Sequence, residues 1–305
     1  MEISVISPIY GCRESIQELY EKVTATLQKI CDSYEIIFVN DNCPQNSWEI
    51  VSHIAKNDKN VKAIKLSRNF GQHYAITAGI DHCSGNYVVV MDCDLQDKPQ
   101  EIEKLYKKAL EGYDIVHGRR AQRQDSFFKS FSSKLFYKTL EYFTDTEHDY
   151  TIGNFGVYSK KVIEAVKGLK EKSRDFLLLV KIVGFKKTQI DVEHDARAYG
   201  KSSYTLSKMI NLAIDSIVSH SNKPLRLIIQ LGLMLSMLSI FVAIGLATAH
   251  YTYGFSVEGW TSLMVSMFFL FGILFGILGT IGLYIGKIFD QVKDRPLYIV
   301  DEIIN

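Results

Sequence analysis

The sequence predicts an α/β domain with a mostly parallel sheet, followed by interfacial helices and two transmembrane helices. Three observations support this fold class. Short apolar runs alternate with helical stretches from the first residues onward, these runs lack polar alternation, and two long apolar runs occupy most of the last eighty residues. Continuous apolar strands are typical of a parallel sheet that is covered on both faces.

The apolar runs and the stretches between them define the predicted elements in order. The predicted strands are Ile3–Ser7, Glu35–Val39, Val61–Leu66, Tyr87–Met91 and Asp114–His117, and helices are expected near 14–31, 46–57, 71–82 and 99–111. In sheets of this kind, ligands bind at the carboxyl ends of the strands. We therefore expect the chemistry to lie directly after each strand.

Composition and charge give no reason to expect certain partners and sites. With 35 Lys and Arg against 34 Asp and Glu, the net charge of +1 gives no reason to expect a nucleic-acid partner. The cysteines are odd in number and form no CxxC pair, which predicts reduced thiols rather than a disulfide framework or a zinc site. They are Cys12, Cys31, Cys43, Cys83 and Cys93. No leader precedes Ile3, so the N-terminal part is expected in the cytoplasm.

The two long apolar runs predict a membrane anchor over residues 223–290. Residues 227–249 and 262–286 are each long and apolar enough to cross a hydrocarbon core of about 30 Å. Lysine and arginine flank the pair on its outer sides and are missing from the connecting loop, so the positive-inside rule places both flanks in the cytoplasm. The chain is therefore predicted to be a multi-pass membrane protein with a cytoplasmic C-terminal tail, residues 291–305.

Two amphipathic stretches are candidates for helices that lie in the lipid interface. Residues 126–143 combine aromatic and lysine side chains, and residues 203–222 repeat apolar side chains at helical spacing directly before the first span. For 126–143, a surface helix packed on the domain is an equally good interpretation. The predicted domains are therefore a catalytic domain over 1–202, an interfacial helix over 203–222, the anchor and the tail.

The segment Met91-Asp-Cys-Asp-Leu-Gln-Asp-Lys-Pro99 is the strongest chemical signal. It follows a Tyr-Val-Val-Val strand, and its two carboxylates at i and i+2 can share a divalent cation whose oxygen shell a diphosphate completes. An acidic turn is the alternative for a bare DxD. The preceding strand, together with Gln96 and Pro99, favours the metal interpretation.

Polar segments also follow the other strands. They are Ile6-Ser-Pro-Ile-Tyr10 with Glu14, Val39-Asn-Asp-Asn42, Leu66-Ser-Arg-Asn-Phe-Gly-Gln-His-Tyr-Ala75, the arginine-rich stretch Val116–Ser126, and Arg197-Ala-Tyr-Gly-Lys-Ser-Ser-Tyr204. Arginine forks suit phosphate oxygens, and a glycine flanked by hydroxyls and cations suits a phosphate loop. A solvated charge run is the alternative for the arginine cluster, and a core or surface histidine is preferred to a catalytic base at His73.

These motifs, in this order, resemble the family 2 glycosyltransferases with the GT-A (Rossmann-like) fold, in particular polyprenyl-phosphate glycosyltransferases such as dolichol-phosphate mannose synthase and bacterial undecaprenyl-phosphate glucosyltransferase. The resemblance covers nearly the whole chain. It implies that Asp92 and Asp94 are catalytic and that Asp92, Asp94 and Gln96 hold Mg²⁺ or Mn²⁺. It also implies nucleotide-sugar contacts from Pro8, Tyr10, Glu14, Asp41, Arg68 and Asp92, and lipid-phosphate contacts from Arg119, Arg123, Arg197 and Ser202.

The function that this resemblance implies is metal-dependent, inverting transfer of a sugar from a nucleotide sugar to polyprenyl (undecaprenyl) phosphate. A UDP-sugar is the expected donor, and UDP-glucose is the first candidate. The resemblance further implies location in the inner (plasma) membrane, contact with membrane lipid, and a homo-oligomer, a tetramer by resemblance. A processive polysaccharide synthase and a non-catalytic membrane-anchored scaffold are the alternatives; the QxxRW element of such synthases is absent, and a scaffold needs neither the DxDxQ segment nor the Arg197–Tyr204 segment.

Overall fold

The computed structural model of the 305-residue chain describes residues 1–120, 143, 152–193, 217–218, 221–253 and 259–305. Its contacts divide the chain into two compact units. The first comprises Met1–Ser130, Asp149–Ser203 and Arg295–Asn305, and the second comprises Phe131–His148 and Tyr204–Asp294. The chain therefore leaves the first unit and returns to it at the C-terminus.

The first unit contains an eight-stranded sheet with helices on both faces. Its strands are β1 Ile3–Ile9, β2 Tyr34–Asn40, β3 Val61–Leu66, β4 Tyr87–Val90, β5 Ile115–Arg120, β6 Ile152–Ser159, β7 Lys187–Val192 and β8 Val300–Ile304. Its helices are α1 Ile16–Ile30, α2 Ser47–Asn57, α3 Gln72–Asp81, α4 Ile102–Leu110, α5 Lys160–Gly168 and α6 Phe176–Val183.

The strand order is β7-β5-β6-β4-β1-β2-β3-β8. β1 pairs in parallel with β2 and β4, β2 with β3, and β5 with β7, whereas β6 and β8 pair antiparallel to their neighbours. Following these pairings along the sheet, six of the eight strands run in one direction. The mostly parallel sheet is confirmed, and the carboxyl ends of β1 to β5 lie at one edge.

Two apolar clusters explain why the strands lack polar alternation. Every residue of β1 and β2 is buried, and successive side chains enter opposite clusters. One cluster packs α1, α2 and α4 against the sheet, and the other packs α3, α5 and α6. A strand buried on both faces has no solvated side for polar residues, so the apolar runs are a direct consequence of the two helical layers.

The C-terminal tail forms β8 on the edge of this sheet, which the sequence did not predict. β8 pairs with β3, and the amide of Ser67 donates to the carbonyl of Ile299 at 2.9 Å. Side chains reinforce the pairing: Lys65 contacts Asp301 at 2.7 Å and Trp48 Nε1 donates to Glu302 at 3.2 Å. Residues 295–305 are therefore a structural part of the first unit.

The second unit contains two long helices, α7 Lys223–Tyr253 and α8 Trp260–Val292. Within the described residues, one segment, Phe269–Val292, is long and apolar enough to cross a membrane, with a mean hydropathy of 2.1. It overlaps the predicted span 262–286. The predicted span 227–249 lies within α7, and its membrane crossing stays a prediction. The predicted amphipathic stretches 126–143 and 203–222 fall almost entirely outside the described residues.

Candidate active site

Four loops at the carboxyl edge of the sheet contact one another in a closed cycle, which we call the loop ring: residues 10–15, 41–46, 67–71 and 91–97. The first two loops are joined by the amide of Gly11, which donates to Cys43 Sγ at 3.3 Å. Arg13 strengthens this junction, because its guanidinium donates to the carbonyl of Gln45 at 2.9 Å. The loops after β1 and β2 therefore form one surface.

Asp41 joins the second loop to the third. Its carboxylate is 2% exposed and accepts from the amides of Phe70 at 2.7 Å and Gly71 at 2.8 Å. Burial raises the pKa of Asp41 above its ordinary value, although the two N–H bonds and the nearby Arg68 act in the opposite direction. Gly71 has a φ of +107°, a conformation that favours glycine, and it precedes α3.

The third loop presents Arg68 and leads into the contact with the fourth. The Arg68 guanidinium lies 4.4 Å from the centre of the Phe70 ring, and Arg68 itself is exposed. Gln72, the first residue of α3, donates from Nε2 to Asp92 Oδ1 at 2.6 Å. Because α3 begins where Asp41 holds the chain, the position of Asp92 depends on Asp41 through this loop.

The fourth loop contains the DxD segment, which follows β4 as predicted. Asp94 Oδ1 accepts from the amide of Gln96 at 3.2 Å, and Leu95 between them has a φ of +59°. This turn fixes Asp94 in the loop that follows β4, at the carboxyl edge of the sheet. Asp92 and Asp94 are both half-buried, so they stay accessible to a ligand from solvent.

A disulfide between Cys12 and Cys93 closes the loop ring, and the prediction that all five cysteines are reduced thiols is wrong in this structure. The Cα atoms of Cys12 and Cys93 are 6.2 Å apart, within the usual range for a disulfide. Ser15 Oγ donates to the carbonyl of Cys93 at 2.6 Å beside it. The spacing rule failed because these cysteines are 81 residues apart and meet only where the ends of β1 and β4 adjoin.

The donor atoms of the DxD segment suit a magnesium or manganese ion bound together with a diphosphate. Within the described residues, no group of three or more His, Cys, Asp or Glu side chains could hold a metal ion by itself. Asp92 and Asp94 supply two hard carboxylates, and Mg²⁺ is commonly bound by one or two carboxylates plus substrate phosphates and water. The chain thus supplies part of an oxygen shell.

Residues 4–167 match the family model described as glycosyl transferase family 2. The chain belongs to glycosyltransferase family 2. It is an enzyme that transfers a sugar from a nucleotide sugar, and its DxD segment follows β4 at the carboxyl edge of the sheet.

Relatives over nearly the full length support the same assignment. The chain is 39% identical over 306 residues to the uncharacterized glycosyltransferase YkcC of Bacillus subtilis, covering 99% of this chain and 94% of the relative. It is 34% identical over 310 residues, with the same coverage, to the undecaprenyl-phosphate 4-deoxy-4-formamido-L-arabinose transferase of Photorhabdus laumondii. The recognised resemblance to polyprenyl-phosphate glycosyltransferases is confirmed.

Solved structures share the fold. Glucosyl-3-phosphoglycerate synthase of Mycobacterium tuberculosis, in a crystal structure with Mn²⁺, UDP and phosphoglyceric acid, matches with a TM-score of 0.54 and 15% identity. The match covers 72% of this chain and 76% of the synthase. A crystal structure of the same synthase with Mg²⁺ and UDP also matches with a TM-score of 0.54. At this identity the similarity establishes the GT-A fold and nothing finer.

The remaining predicted nucleotide contacts lie in or beside the first loop of this glycosyltransferase. Pro8 is buried in β1, whereas Tyr10 is 52% exposed and Glu14 is exposed. Asp41 and Arg68 occupy the second and third loops. The structure thus brings the predicted nucleotide residues to the loop ring, although the oxygens of Asp41 already accept from the third loop.

Of the predicted lipid-phosphate residues, only Arg119 is described. Its guanidinium holds Asp191 of β7 through two hydrogen bonds, from Nε at 2.5 Å and from Nη2 at 3.0 Å. These bonds lower the pKa of the Asp191 carboxyl below its ordinary value. Arg123, Arg197 and Ser202 lie outside the described residues.

Sequence reasoning missed three partners in this region: Gln72, Cys43 and Asp191. Gln72 stands in a quoted motif, yet nothing in its spacing points to Asp92. His73 beside it matches the non-catalytic interpretation, because its Nδ1 accepts from the amide of Phe176 at 3.3 Å and burial lowers the pKa of His73. A neutral, inward-facing imidazole of this kind packs α3 against α6.

Proposed function

We propose that this glycosyltransferase moves a hexose, with UDP-glucose as the leading donor, onto undecaprenyl phosphate at the cytoplasmic face of the inner membrane. The observation that carries the proposal is the position of Asp92 and Asp94 in the loop ring at the carboxyl edge of the sheet. The acceptor is inferred from the full-length relatives, whose name specifies an undecaprenyl-phosphate transferase. The proposed cofactor is Mg²⁺ or Mn²⁺.

The chemistry requires positioning more than proton removal. A phosphate monoester is already anionic near neutral pH, since its second pKa is about 6, so the acceptor oxygen needs no strong base. We expect direct, inverting attack on the anomeric carbon. Asp92, Asp94 and Gln96 would hold a divalent cation that stabilises charge on the departing nucleotide diphosphate.

Basic residues would then hold the diphosphate of the donor and the phosphate of the acceptor lipid near one another. Arg68, from the third loop, is proposed to contact the nucleotide, together with Pro8, Tyr10, Glu14 and Asp41. Arg119, Arg123, Arg197 and Ser202 are proposed for the acceptor phosphate. Arginine forks offset the repulsion between two anionic groups, which otherwise opposes their approach.

The return of the chain to the first unit supports two membrane crossings. β1 to β5 and β8 belong to one sheet, so these two parts of the chain lie on one side of any membrane, and the number of crossings between them is even. At a rise of about 1.5 Å per residue, α7 is about 46 Å long, more than the hydrocarbon core requires. We therefore propose that α7 and α8 both span the bilayer.

The donor sugar is the open choice within this proposal. Relatives from Photorhabdus and Serratia are named for 4-deoxy-4-formamido-L-arabinose, so that sugar is a second candidate. The experiment incubates the full-length protein in detergent with undecaprenyl phosphate, Mg²⁺ or Mn²⁺, and one labelled donor at a time. The donors are UDP-glucose, UDP-N-acetylglucosamine, UDP-4-deoxy-4-formamido-L-arabinose and GDP-mannose. Transfer is counted in the organic phase.

One sugar should enter the lipid, and EDTA should abolish the transfer. Asp94→Ala should lose product formation while Asp32→Ala, a change of an exposed carboxylate before β2 at the opposite edge of the sheet, keeps it. Unchanged turnover in Asp94→Ala would refute the role proposed for the DxD segment. Polymer or free sugar in place of labelled lipid would favour a processive synthase over the proposed transfer to lipid phosphate.

A further inference from the structure

We propose that Cys12 and Cys93 form a redox modification site that reacts with a small peroxide and sets the affinity of the enzyme for its nucleotide donor. The inference rests on the proposed function for its donor. Cys93 stands between Asp92 and Asp94, and Cys12 belongs to the loop after β1. The bond thus joins the proposed cation ligands directly to the proposed nucleotide loop.

The surroundings of the bond indicate a built site. Cys12 and Cys93 are 5% and 7% exposed, and Ser15 Oγ lies within hydrogen-bond distance of both of their carbonyls, at 2.9 Å from that of Cys12 and 2.6 Å from that of Cys93, so that its single proton serves either one. One buried hydroxyl therefore lies between the backbones of both cysteines. We expect this contact to keep the two thiols of the reduced protein close enough to react again.

The proposed location makes a permanent structural role a poor explanation. In a reducing cytoplasm, disulfides of mesophilic proteins are usually transient and act in catalysis or redox sensing. The small exposed fractions of Cys12 and Cys93 oppose the docking of a protein oxidoreductase on the sulfurs and favour a small oxidant. A peroxide is therefore the matching class of oxidant.

The reaction balances with hydrogen peroxide as the oxidant. Two S–H bonds break and one S–S bond forms, so the pair of cysteines loses two electrons and two protons. The O–O bond of the peroxide breaks, and the peroxide accepts the two electrons and two protons, giving two molecules of water. A dithiol reductant reverses the change and is itself oxidised to a disulfide.

The bond acts on donor affinity because it closes the loop ring. In the bonded state, contacts among the described residues that hold the DxD segment include Gln72 on Asp92, Ser15 on the Cys93 carbonyl, and Cys12 on the Cys93 sulfur. Reduction removes the covalent constraint and leaves hydrogen bonds, so binding a nucleotide must then order the segment. We expect UDP to bind about tenfold more weakly to the reduced protein.

Thiol mapping tests the pairing in the full-length protein. The protein is treated with hydrogen peroxide, denatured with an alkylating reagent and digested without reductant for mass spectrometry. A peptide pair linking Cys12 to Cys93 is expected, with Cys31, Cys43 and Cys83 alkylated; after reduction all five should be alkylated. Five alkylated thiols after peroxide treatment would overturn the proposal. So would a link from Cys12 to Cys43, whose sulfur accepts from the adjacent Gly11 amide.

Equilibrium binding of UDP with Mn²⁺ tests the consequence. Oxidised wild-type protein should bind UDP about tenfold more tightly than reduced protein, Cys12→Ser should lose this difference, and Cys31→Ser should keep it. If Cys12→Ser fails to fold, Cys93→Ala replaces it. Equal affinity of oxidised and reduced wild-type protein would refute the regulatory role. If the Cys12–Cys93 link is mapped but neither form of the protein binds UDP, the regulatory role is refuted together with the UDP donor assignment of the proposed function.

Discussion

Replacing Asp41 with asparagine distinguishes two roles for this carboxylate. In the resembling family, the second acidic residue after β2 contacts the base of the nucleotide. In this structure, both oxygens of Asp41 accept backbone N–H bonds from the third loop. Asp41→Asn keeps the shape of the side chain but turns one acceptor into a donor that faces a backbone N–H.

The expected loss of stability follows from those two bonds. One charge-assisted hydrogen bond disappears and leaves its part-buried N–H without that acceptor, which costs about 1.5 to 3 kcal/mol. For a domain of this size, each kcal/mol shifts the melting temperature by about 2 to 4 °C. The midpoint should therefore fall by about 3 to 12 °C. UDP binding should also weaken, because the third loop carries Arg68 and leads to Gln72.

The assay compares thermal unfolding and UDP binding of the full-length protein in detergent. Asp301→Asn is the matched control, because it removes an exposed carboxylate from its ion pair with Lys65, and such pairs contribute about 1 kcal/mol or less. An unchanged midpoint in Asp41→Asn combined with a loss of UDP affinity would refute the reasoning. It would show that the carboxylate acts on the nucleotide directly.

Further predictions concern other parts of the first unit. Gln72→Leu should weaken Mn²⁺-dependent UDP binding by about tenfold with little change in melting temperature, since it removes the bond that positions Asp92; equal Mn²⁺ titrations of variant and wild type would contradict this. Deleting residues 295–305 should lower the melting temperature by several degrees, because it exposes the edge of β3. If the truncated protein melts at the same temperature as the full-length protein, β8 does not have this structural role. Burial alone would raise the pKa of Glu35, but hydrogen bonds from Ser4 and Ser84 and the nearby Lys62 lower it below 4.5. Its stabilising effect is therefore present above pH 4.5 and lost as pH falls through the folded pKa, so the midpoints of wild type and Glu35→Gln should converge in acid and not diverge.

The elements from β1 to α4 were predictable because their signals are local. Strands buried on both faces must be apolar along their whole length, and the helices between them carry an apolar stripe. β7 has the sequence Lys-Thr-Gln-Ile-Asp-Val and mostly exposed or half-exposed side chains. An edge strand of this kind reads as a polar loop, because its pairing with β5 and not its composition makes it a strand.

The same distinction applies to the candidate site. The segments that hold Asp92, Asp94, Asp41 and Arg68 were singled out because each follows a strand of a parallel sheet, where ligands bind, and the family resemblance supplied the roles of Asp41 and Arg68. Their partners were not found, because each contact in the loop ring crosses from one strand end to another. The Cys12–Cys93 bond spans 81 residues of sequence, a separation at which residue spacing holds no information.

β8 connects the chain that follows α8 to the third loop. The amide of Ser67 donates to the carbonyl of Ile299, and Arg68 is the next residue along the chain. Lys172 Nζ donates to the carbonyl of Arg295 at 2.5 Å, which fixes the start of the tail. A chain that emerges from α8 is therefore held on the first unit within a few residues and reaches the third loop directly. For this reason, weakening the tail should disturb donor binding before it disturbs any acceptor contact made by Arg119, which lies on β5 at the other side of the sheet.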